Sequence, residues 1–371
     1  MVNIHLVQDE KFVDNSINMF EKYYPNQNFF IVDKDEGESR FVTPKDNVLF
    51  LPFNHSDCLK IIQKKCLLNV RNQTINVLVH FLTRDAAYCA LALKDSLLKV
   101  NLYWIFYGAD LYTYLEKNGK YQLYDYKVAG QKNLFKDYLK IFLGRYRFVK
   151  DFCKSLDYFC FWNYYDYKLL CRHVKTKAEF KPFYYVNTGK TIFYDSVPQE
   201  ELTILVNHSA SYSGNHLTVI EKLKSLSLEN LKLIFPLSYG PEKHVTLIKN
   251  KATTLFPNKC VFLEDYMPVD TYYKSISICQ CAIMGHRRQE AGGNIGFLLR
   301  NGKKVFLRED NTLLQYFRDL GCFVYSFEKD LNSKDDLRPL TKEQQEINRN
   351  VMLKRISPEK IDDMMLNLFK D

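Results

Sequence analysis

Strand-length apolar runs alternate with helix-spaced segments almost throughout the chain, which leaves few folds open to it. Val2 to Gln8 reads as a buried strand, and Asp9 to Tyr24 as a helix ended by Pro25. Strands are expected again at Asn28 to Asp33, Asn47 to Phe53, Ile75 to Phe81 and Asn101 to Tyr107. Helices are expected at Ser56 to Leu68 and Asp85 to Leu98. This alternation indicates an α/β protein with a parallel, doubly wound sheet, whose ligands lie beyond the carboxyl ends of the strands. Asp9, His80 and the segment Tyr107 to Asp110 fall at such ends.

Leu156 to Trp162 continues the strand pattern and Tyr164 to Val174 the helical one; from Lys175 to Pro198 periodicity is lost. A second series follows. It has strands at Glu201 to Asn207, Leu231 to Leu237 and Lys259 to Leu263, a helix at Gly214 to Leu226, another after Pro241, and a short one at Tyr266 to Ser275. A chain of 371 residues with 46% apolar content can bury two cores. The expected division is 1–185 and 199–340, with C-terminal helices over 341–371 packing on the body. The last of these starts at Ser357-Pro358-Glu359 and turns Ile361, Met364, Met365 and Leu368 to one side.

The stretch Ile278 to Arg308 has the make-up of a working site. An apolar run to Met284 precedes Gly285-His286-Arg287-Arg288-Gln289-Glu290 and then Ala291-Gly292-Gly293-Asn294. A helix from Ile295 to Asn301 and a strand from Lys303 to Arg308 complete a β-loop-α-β unit. Free N–H groups and the dipole at such a helix start attract phosphate, glycines let the backbone come close, and arginines fork onto phosphate oxygens. An ordinary loop with a solvated basic tip is the other reading. Three further polar loops end strands of the same series: Asn207 to His216, Pro236 to Pro241 with Tyr239, and Glu264 to Pro268 with Tyr266. Their hydroxyls, amides and acids suit a phosphate or a sugar, although Ser213 and Asn215 suit a helix cap equally well.

The net charge of +9 favours an anionic partner: nucleic acid, a phosphorylated ligand or acidic lipid. No recognisable nucleic-acid motif is present. The ten cysteines lack metal-ligand spacing and read as reduced thiols of a cytoplasmic protein. No secretory signal is expected, and no run reaches the roughly 18 to 20 apolar residues that span a bilayer. From Lys127 to Lys154, basic residues including Lys132, Lys136, Lys140 and Arg147 alternate with Phe135, Leu139, Phe142, Tyr146 and Val149. That segment is either a helix lying on anionic lipid or a core-packed helix with solvated lysines. Asp33 and Asp35 could hold a metal–diphosphate pair or simply form a solvated turn. Nothing else calls for a metal.

Several of these segments resemble the TDP-N-acetylfucosamine:lipid II N-acetylfucosaminyltransferases. They are Trp104-Ile105-Phe106-Tyr107-Gly108-Ala109-Asp110-Leu111-Tyr112, Ile204-Leu205-Val206-Asn207-His208-Ser209, Asn215-His216, Phe235-Pro236-Leu237-Ser238-Tyr239-Gly240 and Arg288-Gln289. The likeness runs from about Ile75 to Leu331; Glu290 stands where that family usually carries an amide. It implies a metal-independent GT-B glycosyltransferase with two Rossmann-like domains facing a cleft, the first for the acceptor and the second for the nucleotide sugar. It further implies inverting transfer of an acetamido-dideoxyhexose of the Fuc4NAc type from a TDP-sugar to a polyprenyl-pyrophosphate-linked glycan. The setting would be the cytoplasmic face of a bacterial membrane, in common antigen, O-antigen or capsule synthesis.

On that reading Arg288, Gly293 and Asn294 clamp the departing diphosphate, and Gln289 and Asn207 orient donor hydroxyls. Ser209 and His216 lie near the pyrophosphate, Glu264 and Tyr266 serve the nucleoside side, and Asn215 and Tyr239 join the donor-binding set. Asp110 is the first candidate base, with His80 and Asp9 in reserve. Asp110 as a helix cap and His80 as a core histidine remain open, as do a two-lobed binding protein, a metal-dependent transferase and a nucleic-acid binder.

Overall fold

A computed structural model describes residues 1–35, 37–67, 73–125, 144, 146–185, 193–194 and 201–370. These fall into two compact units. The first takes residues up to Tyr121, then 144, 146–185 and the tail from Pro358; the second takes 122–125, 193–194 and 201–357.

Unit 1 is built on β1 (Val2–Val7), β2 (Asn28–Val32), β3 (Val48–Phe50), β4 (Ile75–His80), β5 (Val100–Ile105), β6 (Tyr158–Phe161) and β7 (Glu179–Pro182). They form one sheet in the order β3-β2-β1-β4-β5-β6-β7, every pair parallel. Its helices are α1 (Val13–Tyr23), α2 (Cys58–Cys66), α3 (Arg84–Ser96), α4 (Ala109–Lys117), α5 (Arg147–Ser155) and α6 (Tyr164–His173). Every residue of β1 and β4 is buried, so these strands read as continuous runs instead of alternating ones. Asn3 and His5 interrupt β1 and Asn76 and His80 interrupt β4, and a row of four asparagines sets the register. Asn101, Asn76, Asn3 and Asn28 lie side by side on β5, β4, β1 and β2. Each amide donates to the next: Asn101 to Asn76 at 3.4 Å, Asn76 to Asn3 at 2.9 Å and Asn3 to Asn28 at 2.9 Å. A slip of one residue would leave buried amides unpaired, each costing about 1–3 kcal/mol.

β7 was hidden in the sequence because it is a sheet edge, with Glu179 and Pro182 exposed and no apolar period. The last helix, Pro358–Asn367, belongs to unit 1, where Met364, Met365 and Leu368 join the core around Phe20, Phe30 and Phe183. Burial contributes roughly 1.5–3 kcal/mol for each such side chain. The other tail helix, Lys342–Arg355, belongs to unit 2, so the region 341–371 is divided between the two.

Unit 2 carries β8 (Leu202–Val206), β9 (Leu231–Pro236), β10 (Cys260–Leu263), β11 (Cys281–Met284), β12 (Lys304–Leu307) and the short β13 (Tyr325–Ser326). Their order is β10-β9-β8-β11-β12-β13, again all parallel. Its other helices are α7 (His216–Ser225), α8 (Glu242–Leu255), α9 (Val269–Ser277), α10 (Gly292–Arg300) and α11 (Thr312–Asp319). The chain winds from β8 outward to β10 and then crosses back to β11, so winding reverses between β8 and β11. A crevice opens beyond the carboxyl ends of two strands at such a reversal. Among the described residues, no helix is long and apolar enough to cross a membrane.

Candidate functional site

The loops after β8 and β11 meet backbone to backbone at the reversal. A Cβ on Gly285 would sit 2.3 Å from the Gly214 carbonyl oxygen, and one on Gly240 would sit 2.3 Å from that of Ala210. Only glycine permits these approaches. Asn207, with φ of 60°, joins the two loops through its side chain. Its Nδ2 donates to the Gly214 carbonyl at 2.9 Å and its Oδ1 accepts from the Gly285 N–H at 2.7 Å. Asn215 is committed in the same way: Nδ2 donates to the carbonyls of Leu123, Ser213 and Gly285, and Oδ1 accepts from the Asp125 N–H. Both amides hold the loops together, and a donor-binding role for Asn207 or Asn215 would have to share these bonds.

Helix α10 begins three residues earlier than its sequence pattern indicated, after Ala291 in the left-handed region. Gly292, Gly293 and Asn294 thus form its first turn, where N–H groups have no partner within the helix. Gly293 is exposed, and Asn294 donates its side chain to Tyr272 at 3.2 Å. Arg288 stands just before this turn. Its Nε pairs with Glu290 at 3.1 Å, and among the described residues nothing pairs with its Nη groups. Glu290 also accepts from Ser213 Oγ at 2.7 Å and lies 3.6 Å from His208 Nε2. Burial works against its charge, but Arg288 first and the Ser213 hydroxyl with it outweigh that and hold its carboxyl below the usual range.

Three buried histidines, His216, His244 and His286, and the half-buried His208 belong to these loops and to the starts of α7 and α8. His208 and His286 have ring centroids 5.6 Å apart, and His216 and His244 5.5 Å apart. Burial lowers the basicity of each, that of His286 to about 3, so they stand neutral. His216, expected beside the pyrophosphate, is packed against Gly214 inside the loop. Ser209 contacts His208 at 3.3 Å, and Gln289 is buried next to Arg288 with its Oε1 unmatched among the described residues. Tyr239 and Tyr266 are 53% and 76% exposed at the ends of β9 and β10, with ring centroids 6.2 Å apart. Glu264 pairs instead with Lys249 at 2.6 Å. Sequence reasoning passed over Glu290, Arg308, Asn311 and Asp125. Asn311 ties the loop from the far side, donating Nδ2 to the carbonyls of His286 and Arg288.

The unit 1 candidates are strand-end residues, but their lone pairs are in use. Asp110 accepts from the N–H groups of Leu82, Gly108 and Leu111 and from Trp104 Nε1. An ionised carboxylate has about four acceptor positions, so Asp110 also ties two loops together; burial raises its carboxyl above the usual range, and its part as base is a proposal. Asp9 accepts from the N–H groups of Arg40, Phe41 and Val42, from Ser39 Oγ and from Lys34. Burial opposes its charge, yet these donors hold its carboxyl below the usual range. It anchors the loop from Ser39 to Val42. His80 is buried between His5, at 3.0 Å, and Tyr185, the core histidine left open by the sequence. Asp33 accepts from Gln8 and from the Phe53 N–H. Lys132, Lys136 and Lys140 lie outside the described residues; Arg147 is exposed on α5 and pairs with Asp151 at 3.4 Å.

The fold is similar to that of several solved structures along its whole length. Sucrose-phosphate synthase from Thermosynechococcus elongatus superposes with a TM-score of 0.67 at 10% identity, covering 100% of this chain and 98% of that one. Anabaena HepE in complex with UDP gives 0.57 at 12% identity, covering 99% and 94%. An alpha,alpha-trehalose-phosphate synthase (UDP-forming) from Burkholderia vietnamiensis gives 0.60 at 8% identity, covering 100% and 98%. A family model, the 4-alpha-L-fucosyltransferases of glycosyl transferase group 56, matches residues 11–353. The chain belongs to that family and is a glycosyltransferase of the GT-B type.

Proposed function

We propose that this transferase moves an acetamido-dideoxyhexose of the Fuc4NAc type from a TDP-sugar to a polyprenyl-pyrophosphate-linked glycan, with inversion. The setting is bacterial surface polysaccharide synthesis at the cytoplasmic face of the membrane. One observation carries the donor half of this reading. At the β8/β11 reversal, Arg288, whose Nη groups make no hydrogen bond among the described residues, precedes by four residues the first turn of α10 with its unpartnered N–H groups. A leaving diphosphate there gains both the helix dipole and a forked cation as its charge develops. Glu290 holds Arg288 by Nε, which leaves the fork for the anion. The exposed rings of Tyr239 and Tyr266 supply apolar faces for the nucleoside base. The likeness to the TDP-N-acetylfucosamine transferases supports the choice of donor and lipid-linked acceptor.

Melting the full chain with TDP, UDP, GDP and CDP tests the reading. A ligand at a hundred times its dissociation constant stabilises by about 2.7 kcal/mol. TDP should raise the melting temperature most; equal shifts would remove the TDP assignment, and no shift with any of them would remove the donor site. Sedimentation with anionic vesicles checks the membrane setting, and a chain left wholly in the supernatant would contradict it.

A further inference from the structure

The segment Gln122–Asp125 follows α4 in sequence, yet it packs within unit 2. Its carboxylate is gripped from three sides. Arg287 donates Nε to Asp125 Oδ1 at 3.0 Å and approaches the same oxygen with Nη2 at 2.9 Å. Arg308 donates Nη1 to Oδ2 at 3.0 Å, and Thr218 Oγ1 donates to Oδ2 as well. Burial opposes the charge of Asp125, but Arg308, Thr218 and Arg287 hold its carboxyl below the usual range. The segment's backbone is fixed too, by Asn215 at 3.1 Å from the Leu123 carbonyl and 2.9 Å from the Asp125 N–H.

These contacts converge on one loop. Arg308 also donates to the Gly285 carbonyl at 3.2 Å, where the β11–α10 loop begins. Arg287 is the residue immediately before Arg288. Asp125 therefore holds the loop at its start, through Arg308, and at its middle, through Arg287. It also neutralises two arginines that would otherwise compete with Arg288 for an anion, with Asp310 and Glu328 as their second partners.

We infer that Asp125 is a positioning residue for the donor diphosphate: it sets the path of the β11–α10 loop so that Arg288 alone presents an open guanidinium to the anion. The inference rests on the donor site proposed above. A tie that served only the fold would be indifferent to Arg288, whereas this one acts through the neighbouring residue. The two roles separate in a double-mutant cycle.

TDP binding is measured by calorimetry on the full chain for the wild type, Asp125→Asn, Arg288→Ala and the double variant. Asp125→Asn should weaken TDP about tenfold in the wild type and less than about twofold when Arg288 is already gone. Thr218→Val, which removes a neutral ligand of Asp125, should repeat the pattern at smaller size and replaces Asp125→Asn if that variant fails to fold. Losses that simply add would overturn the inference while leaving the donor site standing. Wild-type protein that binds no TDP, or binding indifferent to Arg288→Ala, would overturn both.

Discussion

At the scale of the residue, the donor site is a short list of polar groups with few partners to spare. Glu290 is the acid that Arg288, Ser213 and His208 share, and the buried ring of His286 lies beside that of His208. Neutral buried histidines make the protein sensitive to acid. Burial lowers His5 and His286 from 6.5 to about 3. Between those values the unfolded chain holds a proton on each that the folded chain does not, so stability falls as pH drops below about 6.5, by roughly 1.4 kcal/mol per pH unit for each ring. The depressed carboxyl of Glu290 acts in the same direction, its contribution present above the ordinary glutamate value and lost as pH falls through its lower folded value. Urea unfolding should therefore give a stability at about pH 5.5 that is roughly 2–3 kcal/mol below that at about pH 7.5; equal stability, or greater stability in acid, would contradict the neutral assignment. Single residues were the hardest part to read in advance. An asparagine at a strand end looks the same whether its amide meets a ligand, as expected for Asn207 and Asn215, or a loop carbonyl, as found. Asp9 and Asp110 pose the same difficulty, since a carboxylate gives no sign in sequence of how many N–H groups will surround it. Arg288 draws notice in the sequence because glycines and a helix start follow it directly.

At the scale of the element, the site depends on how closely the strand-end loops approach. Gly285 is the tightest case, because an added Cβ would meet both the Gly214 carbonyl at 2.3 Å and Val219 Cγ2 at 2.7 Å. Backbone cannot move aside as a side chain can. Gly285→Ala should cost about 1–3 kcal/mol in urea unfolding and should weaken TDP binding as well, because the loop bearing Arg288 must shift. Full stability in that variant would show that the reversal is looser than its geometry states. The strands and helices themselves were largely legible. Buried parallel strands such as β1, β4 and β11 write themselves as apolar runs, and α7 and α8 follow them with helical spacing. What escaped was structure with no clear apolar period: the exposed edge β7, the two-residue β13 and the Gln122–Asp125 segment, held by the Asp125 carboxylate and by Asn215. The start of α10 escaped too, since two glycines look like loop until Ala291 turns left-handed and lets the helix begin.

At the scale of the molecule, two parallel sheets with the same reversal of winding occupy one chain, one between β1 and β4 and the other between β8 and β11. The last helix returns to the first unit, so the chain both begins and ends there. Family membership establishes a transferase, and structures at 8% to 12% identity share its fold. They leave the donor's position on this chain to the geometry of unit 2. The most direct measurement is a diffraction structure of the full chain with TDP bound. The diphosphate should lie against the N–H groups of Gly292, Gly293 and Asn294, within hydrogen-bond reach of the Arg288 fork. A diphosphate bound at any other strand-end loop, or with Arg288 turned away from it, would contradict the account.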